Sequence, residues 1–365
     1  MRVVATKRWS LGFALVSILV LAACGSTTST SSTSPAGPQY PNFTACVVTD
    51  TGGIDDRSFN ASAWLGAQNA QKDFGIKAKF LQSTTTNDYD PNITAFENQG
   101  CGIIVTVGFL MGDITQKKAT ASPSQKFSIV DYSYTPAISN VLGLIYDTNQ
   151  DAFMGGYLAA GMSKTGAVGT FGGQQFSTVT IYMDGFAAGV YYYNKQHSAH
   201  VKVLGWNPAT QTGSFAGDFT SQDKGQNITN TLIQQGADVI FPVAGQVGLG
   251  AAAAVQATNG KATMEWVDVD GCVSAPQYCA LFLTSVNKGI AVSVEASIKA
   301  AASNSFVGGN YEGTLANGGV SLAPYHQFDS KIPSALKSEI DTIKQGIIGG
   351  SISVDPKSWA SYAAS

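Results

Sequence analysis

Cys46-Val47-Val48-Thr49-Asp50-Thr51-Gly52-Gly53-Ile54-Asp55-Asp56-Arg57-Ser58-Phe59-Asn60 runs from an apolar stretch through a glycine turn into a helical pattern. An apolar run without polar alternation, ended by turn residues, reads as a strand covered on both faces. The helical pattern reads as 59–74, capped by Ser58 and stopped at Gly75. Further strand-like runs fall at 77–82, 102–108, 126–131, 141–146, 166–171, 200–206, 237–243, 263–268 and 280–286, with the first at 43–49. Helical patterns at 149–163, 177–194, 220–235 and 246–258 lie between them. That alternation predicts an α/β protein with parallel sheets, and about ten strands suggest two sheets rather than one.

Composition narrows the function. The chain has 365 residues, 44% hydrophobic and only 12% charged, with a net charge of −3. A nucleic-acid partner would need a clustered basic face, so this class is set aside. Arg2, Lys7 and Arg8 precede the apolar stretch 11–23, which is too short to span a bilayer as a mature helix. The stretch reads as a signal peptide over 1–23. It ends in Leu21-Ala22-Ala23-Cys24, which resembles the bacterial lipobox and makes Cys24 the expected lipidation site, thioether-linked and palmitate-bearing. Residues 24–39, rich in Ser and Thr, read as the lipidated Cys and a flexible tether reaching roughly 20 Å.

Cys46, Cys101, Cys272 and Cys279 remain, an even number in an oxidising compartment with three pairings open. Cys46 with Cys101 is favoured because the two open apolar runs that neighbour each other in a doubly wound sheet. Cys272 with Cys279 closes a short loop. In the chain-entropy model the two contribute roughly 4 and 2.5 kcal/mol.

In doubly wound sheets ligands sit beyond the carboxyl ends of strands. The first turn carries Asp50, Phe59 and Asn60: a carboxylate acceptor, a flat aromatic face and an amide, suited to a planar heterocycle. It has neither G-x-G-x-x-G nor a P-loop, and its carboxylates Asp50, Asp55 and Asp56 would repel phosphate. In Trp266-Val267-Asp268-Val269-Asp270-Gly271 alternation puts Asp268 and Asp270 on one side, where one can face the cleft. Only three histidines occur, His197, His200 and His326, none in a strand-end turn, which argues against a metal site or a Ser/His/Asp unit. No cofactor is implied. Lys288 is the only cation near a strand end in its region.

Together with the lipobox, several segments resemble the basic membrane protein family of ABC-transporter substrate-binding lipoproteins, whose best-understood members bind purine nucleosides. These are Val48-Thr49-Asp50 through Asn60 to Trp64-Leu65-Gly66, Thr170-Phe171-Gly172-Gly173, Asp184-Gly185-Phe186, Ala244-Gly245-Gln246, Val267-Asp268-Val269-Asp270, Thr284-Ser285-Val286-Asn287-Lys288 and Gly318-Gly319-Val320. The resemblance covers nearly all of 42–355. It implies a type I periplasmic-binding-protein fold, two doubly wound lobes joined by three crossing segments near Asp147, Val286 and Leu322. Lobe one would be 40–147 with 287–322, and lobe two 148–286 with 323–365.

The resemblance further implies that Phe59 stacks on the base, that Asp50, Asn60 and Asp131 bond its edge, and that Asp268 and Lys288 meet the ribose. Gly245 would admit backbone to the ligand. For the second aromatic wall Phe241 is chosen over Phe186 and Phe215. Gly271 and Trp266 depart from the family pattern on the sugar side. The implied protein is a non-enzymatic, monomeric extracytoplasmic receptor, lipid-anchored to the membrane, that delivers a nucleoside to ABC permease subunits. A sugar or polyol binder or sensor on the same fold is the alternative, and a nucleoside-cleaving enzyme a more distant one.

Overall fold

The computed structural model describes residues 38–364; the expected signal peptide, Cys24 and nearly all of the expected tether lie outside the described residues. The leading apolar run becomes β1 (Thr44–Val48), and the pattern after it α1 (Phe59–Phe74). The first half continues with β2 (Lys77–Leu81), α2 (Tyr89–Asn98), β3 (Ile103–Val107), α3 (Gly112–Ala121), β4 (Phe127–Val130) and β5 (Val141–Tyr146). After Asp147 the chain enters α4 (Thr148–Met162) and the second half: β6 (Ala167–Gly172), α5 (Ser177–His197), β7 (Lys202–Leu204), and a small hairpin of β8 (Trp206–Asn207) and β9 (Thr212–Gly213). It goes on through α6 (Gln222–Gln234), β10 (Val239–Val243), α7 (Val247–Ala257), β11 (Thr263–Asp268), the short α8 (Gly271–Ser274) and β12 (Phe282–Lys288). Last come α9 (Ile290–Ala302), β13 (Gly309–Gly313), β14 (Val320–Leu322) and α10 (Ser334–Ile348).

The strands form two six-stranded sheets, ordered β13-β5-β4-β3-β1-β2 and β14-β12-β11-β10-β6-β7. Within these two sheets every pair is parallel except β12 with β14, and the separate β8–β9 hairpin is antiparallel. Read from β1 and from β6 the two orders are the same, so β1 corresponds to β6, β3 to β10 and β4 to β11, although the sequence has no internal repeat. β3 and β10 are buried at every position, as parallel strands covered by helices on both faces require. In both sheets the order reverses between the first strand and its central neighbour, β1 and β3 or β6 and β10, and a ligand site is expected at that point.

The third passage between the sheets runs through 314–319, earlier than the expected Leu322. Val320–Leu322 and Asn287-Lys288 therefore belong to the second sheet, where Asn287 pairs with Ser321 and Lys288 with Val320. A three-residue antiparallel edge strand behind Gly318-Gly319 leaves too little periodicity to be read from sequence. Cys46 pairs with Cys101 and Cys272 with Cys279, at Cα separations of 6.0 and 4.5 Å. The first bridge ties β1 to the residues leading into β3.

α4 and α5 pack backbone to backbone. A Cβ on Gly156 would collide with the carbonyl of Phe186, and one on Gly189 with the carbonyl of Phe153, so each helix sits in a groove that only glycine leaves open.

On β11, Glu265 is fully buried and neither carboxylate oxygen has a hydrogen-bond partner. Burial pushes its pKa up to about 8. Between the unfolded value near 4.5 and 8 the unfolded chain has released this proton while the native protein holds it, so stability falls as pH rises through that window. The slope is at most about 1.4 kcal/mol per pH unit. Denaturation of Glu265→Gln at pH 5 and pH 8 should show a smaller loss than the wild type; parallel curves would disprove the neutral buried acid.

Candidate functional site

The turn after β1 is held together by two carboxylates. Asp56 is buried and accepts the backbone N–H groups of Ser58, Asn60 and Ala61 at 3.0, 2.7 and 3.0 Å. It, and not Ser58, caps α1: the Ser58 hydroxyl is buried without a partner. Burial still carries the Asp56 pKa up to about 7. Asp50 accepts from the Gly52 N–H at 2.9 Å and from the Asn60 amide at 2.7 Å, both on Oδ1. Asn60 also donates to Asp56 at 3.3 Å and accepts the Asp50 N–H at 3.3 Å. Its side chain is thus satisfied within the protein and fixes Asp50, leaving Asp50 Oδ2 unengaged by these bonds. Gly108, with φ of 114°, gives that oxygen room, since a Cβ there would lie 2.7 Å from it. Burial raises the Asp50 pKa.

A second group gathers where β4 and β11 end. Lys288, the last residue of β12, donates to Asp131 at 2.7 Å and lies 4.0 Å from Asp268. Tyr182 of α5 donates to Asp268 at 2.9 Å. All four are buried. Asp131 and Asp268 occupy equivalent places in the two sheets and share a left-handed backbone, φ of 67° and 66°. For a non-glycine residue that conformation is uncommon and clusters at functional sites. Burial raises the Asp131 pKa, with the Lys288 ammonium opposing it. The left-handed turn at Asp268 also separates the two candidate acids: Asp268 faces the cavity, while Asp270 caps α8 by accepting from Cys272 N–H and meets His326.

Between the groups lies a cavity lined by residues of both halves. Its walls are aromatic: Phe59 from α1, Phe109 after β3, Phe176 at the start of α5 and Phe219 before α6. Phe109 and Phe176, from opposite halves, stack with centroids 5.4 Å apart and planes at 24°. Of the residues singled out from sequence, Asp50, Phe59, Asn60, Asp131, Gly245, Asp268 and Lys288 all line this cavity.

Phe241 does not. It is fully buried in the second sheet, stacked on Phe186 at 5.3 Å and edge-on to Tyr182 at 6.1 Å. Phe241 holds an inward position on a central strand facing the covering helix, Phe186 is core because it projects from that helix, α5, onto Phe241, and Phe215 packs against Trp206. Phe176 and Phe219 escape the sequence reading because they stand among Gly, Gln, Ser, Thr and Asp, outside any apolar period, and Phe109 because it stands beside Leu110 and Met111 and looks like ordinary apolar filling after β3. The available signal was position: Phe176 follows the Gly172-Gly173 turn after β6 as Phe59 follows the Gly52-Gly53 turn after β1. Among the described residues, no histidine lines the cavity.

Two sheets of matching order with an aromatic and carboxylate-lined cavity at their switch points are the type I two-lobed binding-protein fold. A solved solute-binding protein of an ABC transporter system from Aeropyrum pernix K1 superposes with a TM-score of 0.77 at 24% identity, covering 85% of this chain and 92% of that one. The family model described as ABC transporter substrate-binding protein PnrA-like matches residues 43–356, and the chain belongs to this Bmp family. It is 30% identical over 361 residues to the ABC transporter nucleoside-binding protein BmpA of Lactococcus lactis subsp. cremoris, covering 94% of this chain and 97% of the relative. It is also 30% identical to the CD4+ T-cell-stimulating antigen of Listeria monocytogenes serovar 1/2a, over 95% and 98% of the two chains.

The capping assignment has a direct test. Asp56→Ala should lower the unfolding free energy by at least about 1–2 kcal/mol, and Ser58→Ala by less than about 0.5 kcal/mol. Urea midpoints in the reverse order would return the cap to Ser58.

Proposed function

We propose that this member of the family captures a purine nucleoside outside the membrane, is held there by a lipid on Cys24, and hands its ligand to an ABC permease without chemical change. The observation that carries the reading is the pairing of aromatic faces from both halves with buried carboxylates at the ends of the cavity. A purine ring takes stacking on its faces and hydrogen bonds at its edge. Phe59 supplies one face, and Phe176 and Phe219 supply the other side in place of Phe241. Asp50 Oδ2 and Asp131 accept from the base edge, with Asn60 acting through Asp50, and Asp268 and Lys288 meet the ribose. The Lactococcus relative is named for nucleoside binding, which agrees with this ligand class. Among the described residues no helix is long and apolar enough to cross a membrane, so attachment in this reading rests on Cys24.

Phe59→Ala should weaken inosine or guanosine binding by about 1–3 kcal/mol in calorimetry, whereas Phe241→Leu should lower the melting temperature and leave affinity unchanged. Equal affinity for ribose alone would replace the nucleoside with a sugar. Incubated inosine should be recovered intact; free hypoxanthine would make the protein an enzyme.

Charge sets a further expectation. Lys288 is already engaged by Asp131, and Asp50 and Asp268 stand in the same cavity. A 5′-monophosphate would bring about two more negative charges into this site, at a cost of several kcal/mol. Inosine should therefore bind at least about 100-fold more tightly than its monophosphate. Equal affinities in calorimetry would overturn the placement of the ligand.

A further inference from the structure

The backbone brings together four metal-ligating side chains outside the cavity. His326 Nε2 lies 2.7 Å from Asp270 Oδ2, although 56 residues separate them in sequence. The Asp270 carboxylate is oriented by its other oxygen, which accepts the Cys272 N–H at 2.9 Å. One oxygen of Asp270, Nε2 of His326 and Sγ of Cys272 all lie within 4.8 Å of one another. Cys279 is bonded to Cys272, so its sulfur stands at the same corner. His326 holds a left-handed φ of 42°, a conformation a histidine keeps only when its surroundings fix it. From the sequence, His326 had no visible reason to stand beside Asp270, and a metal was set aside there.

Two thiolates, an imidazole and a carboxylate form a tetrahedral donor set suited to zinc. In the oxidised protein the sulfurs are bonded to each other and offer no thiolate, which closes the site. We propose that reduction of Cys272–Cys279 opens a zinc site made of Cys272, Cys279, Asp270 and His326. A dithiol or phosphine reductant breaks the S–S bond, is itself oxidised, and leaves two thiols. Zinc then binds as both thiols release their protons, with His326 coordinating through Nε2 and carrying its proton on Nδ1. The freed sulfurs separate to about 3.7 Å, the spacing of two thiolates on one zinc. The bridge is accessible: Cys272 and Cys279 are partly exposed and Val273 between them is 76% exposed, whereas Cys46 and Cys101 are buried. Exposed disulfides are the labile ones. The bridge closes the 270–279 loop on itself, and only the Asp270–His326 hydrogen bond ties that loop to the 326–328 turn; zinc would hold the loop closed and add a second tie to the turn through His326.

Equilibrium dialysis of the full chain, with and without a non-chelating phosphine, tests this. The reduced protein should bind one equivalent of zinc and the oxidised protein none, and cobalt in place of zinc should give thiolate-to-metal charge-transfer absorption. His326→Ala should loosen zinc by at least about tenfold, while Cys46→Ala with Cys101→Ala should retain it. If that double variant does not fold, alkylation under the same reduction, read by mass spectrometry, should label Cys272 and Cys279 and leave Cys46 and Cys101 protected. Absence of zinc from the reduced protein, equal affinity in His326→Ala, or labelling confined to Cys46 and Cys101 would overturn the proposal.

Discussion

The buried ion pair between Lys288 and Asp131 is the contact on which the cleft depends, because its two charges come from different sheets. An ammonium removed from water at this depth would be destabilising by itself. Here it is surrounded by Asp131 and Asp268 and by the rings of Phe59, Tyr146 and Tyr182, whose centroids lie 5.0, 5.4 and 5.5 Å from Nζ. Such rings attract a desolvated cation through their negative faces. Both sheets contribute partners, so the charge is best satisfied only when the halves stand close together. A pair of this kind adds little net stability against an apolar substitute, yet breaking it by removing one member costs about 3–5 kcal/mol. Its main effect is to fix geometry rather than to increase stability.

The matched aspartates extend that argument. Asp131 and Asp268 occur at equivalent strand ends, both in a conformation that costs roughly 1–3 kcal/mol, and both aim a carboxyl at the same ammonium. Two unrelated stretches of sequence thus make the same local sacrifice at the same topological position. The shared feature of the halves is a backbone requirement, which leaves few letters in common and so escapes a search for repeats.

Much of this was legible because parallel strands and the turns after them carry strong signals. The run through Val48 and the pattern from Phe59 to Phe74 gave β1 and α1 directly, strand-end positions marked Asp50, Asp268 and Lys288, and the family resemblance added Asp131. What escaped depended on side-chain direction or long-range contact. Phe241 is apolar, aromatic and near a strand end, as a wall residue would be, but its register turns it into the core. Ser58 has the ordinary identity of a cap, while the capping is done by Asp56 two residues earlier, by reaching forward over the turn. The meeting of His326 with Asp270 depends on where the third passage between the sheets ends, and that passage leads into an edge strand too short to recognise.

The glycine contact between α4 and α5 bears on how the molecule moves. With Gly156 and Gly189 seated against the facing helix's carbonyls, the two helices cannot slide along each other without backbone collision. α4 begins one residue beyond Asp147, where the chain leaves the first sheet, and α5 carries Tyr182 and begins beside Phe176. Tyr182 and Phe176 therefore stand on a locked helix pair, and their places on the cavity wall are fixed relative to the point at Asp147 where the chain leaves the first sheet.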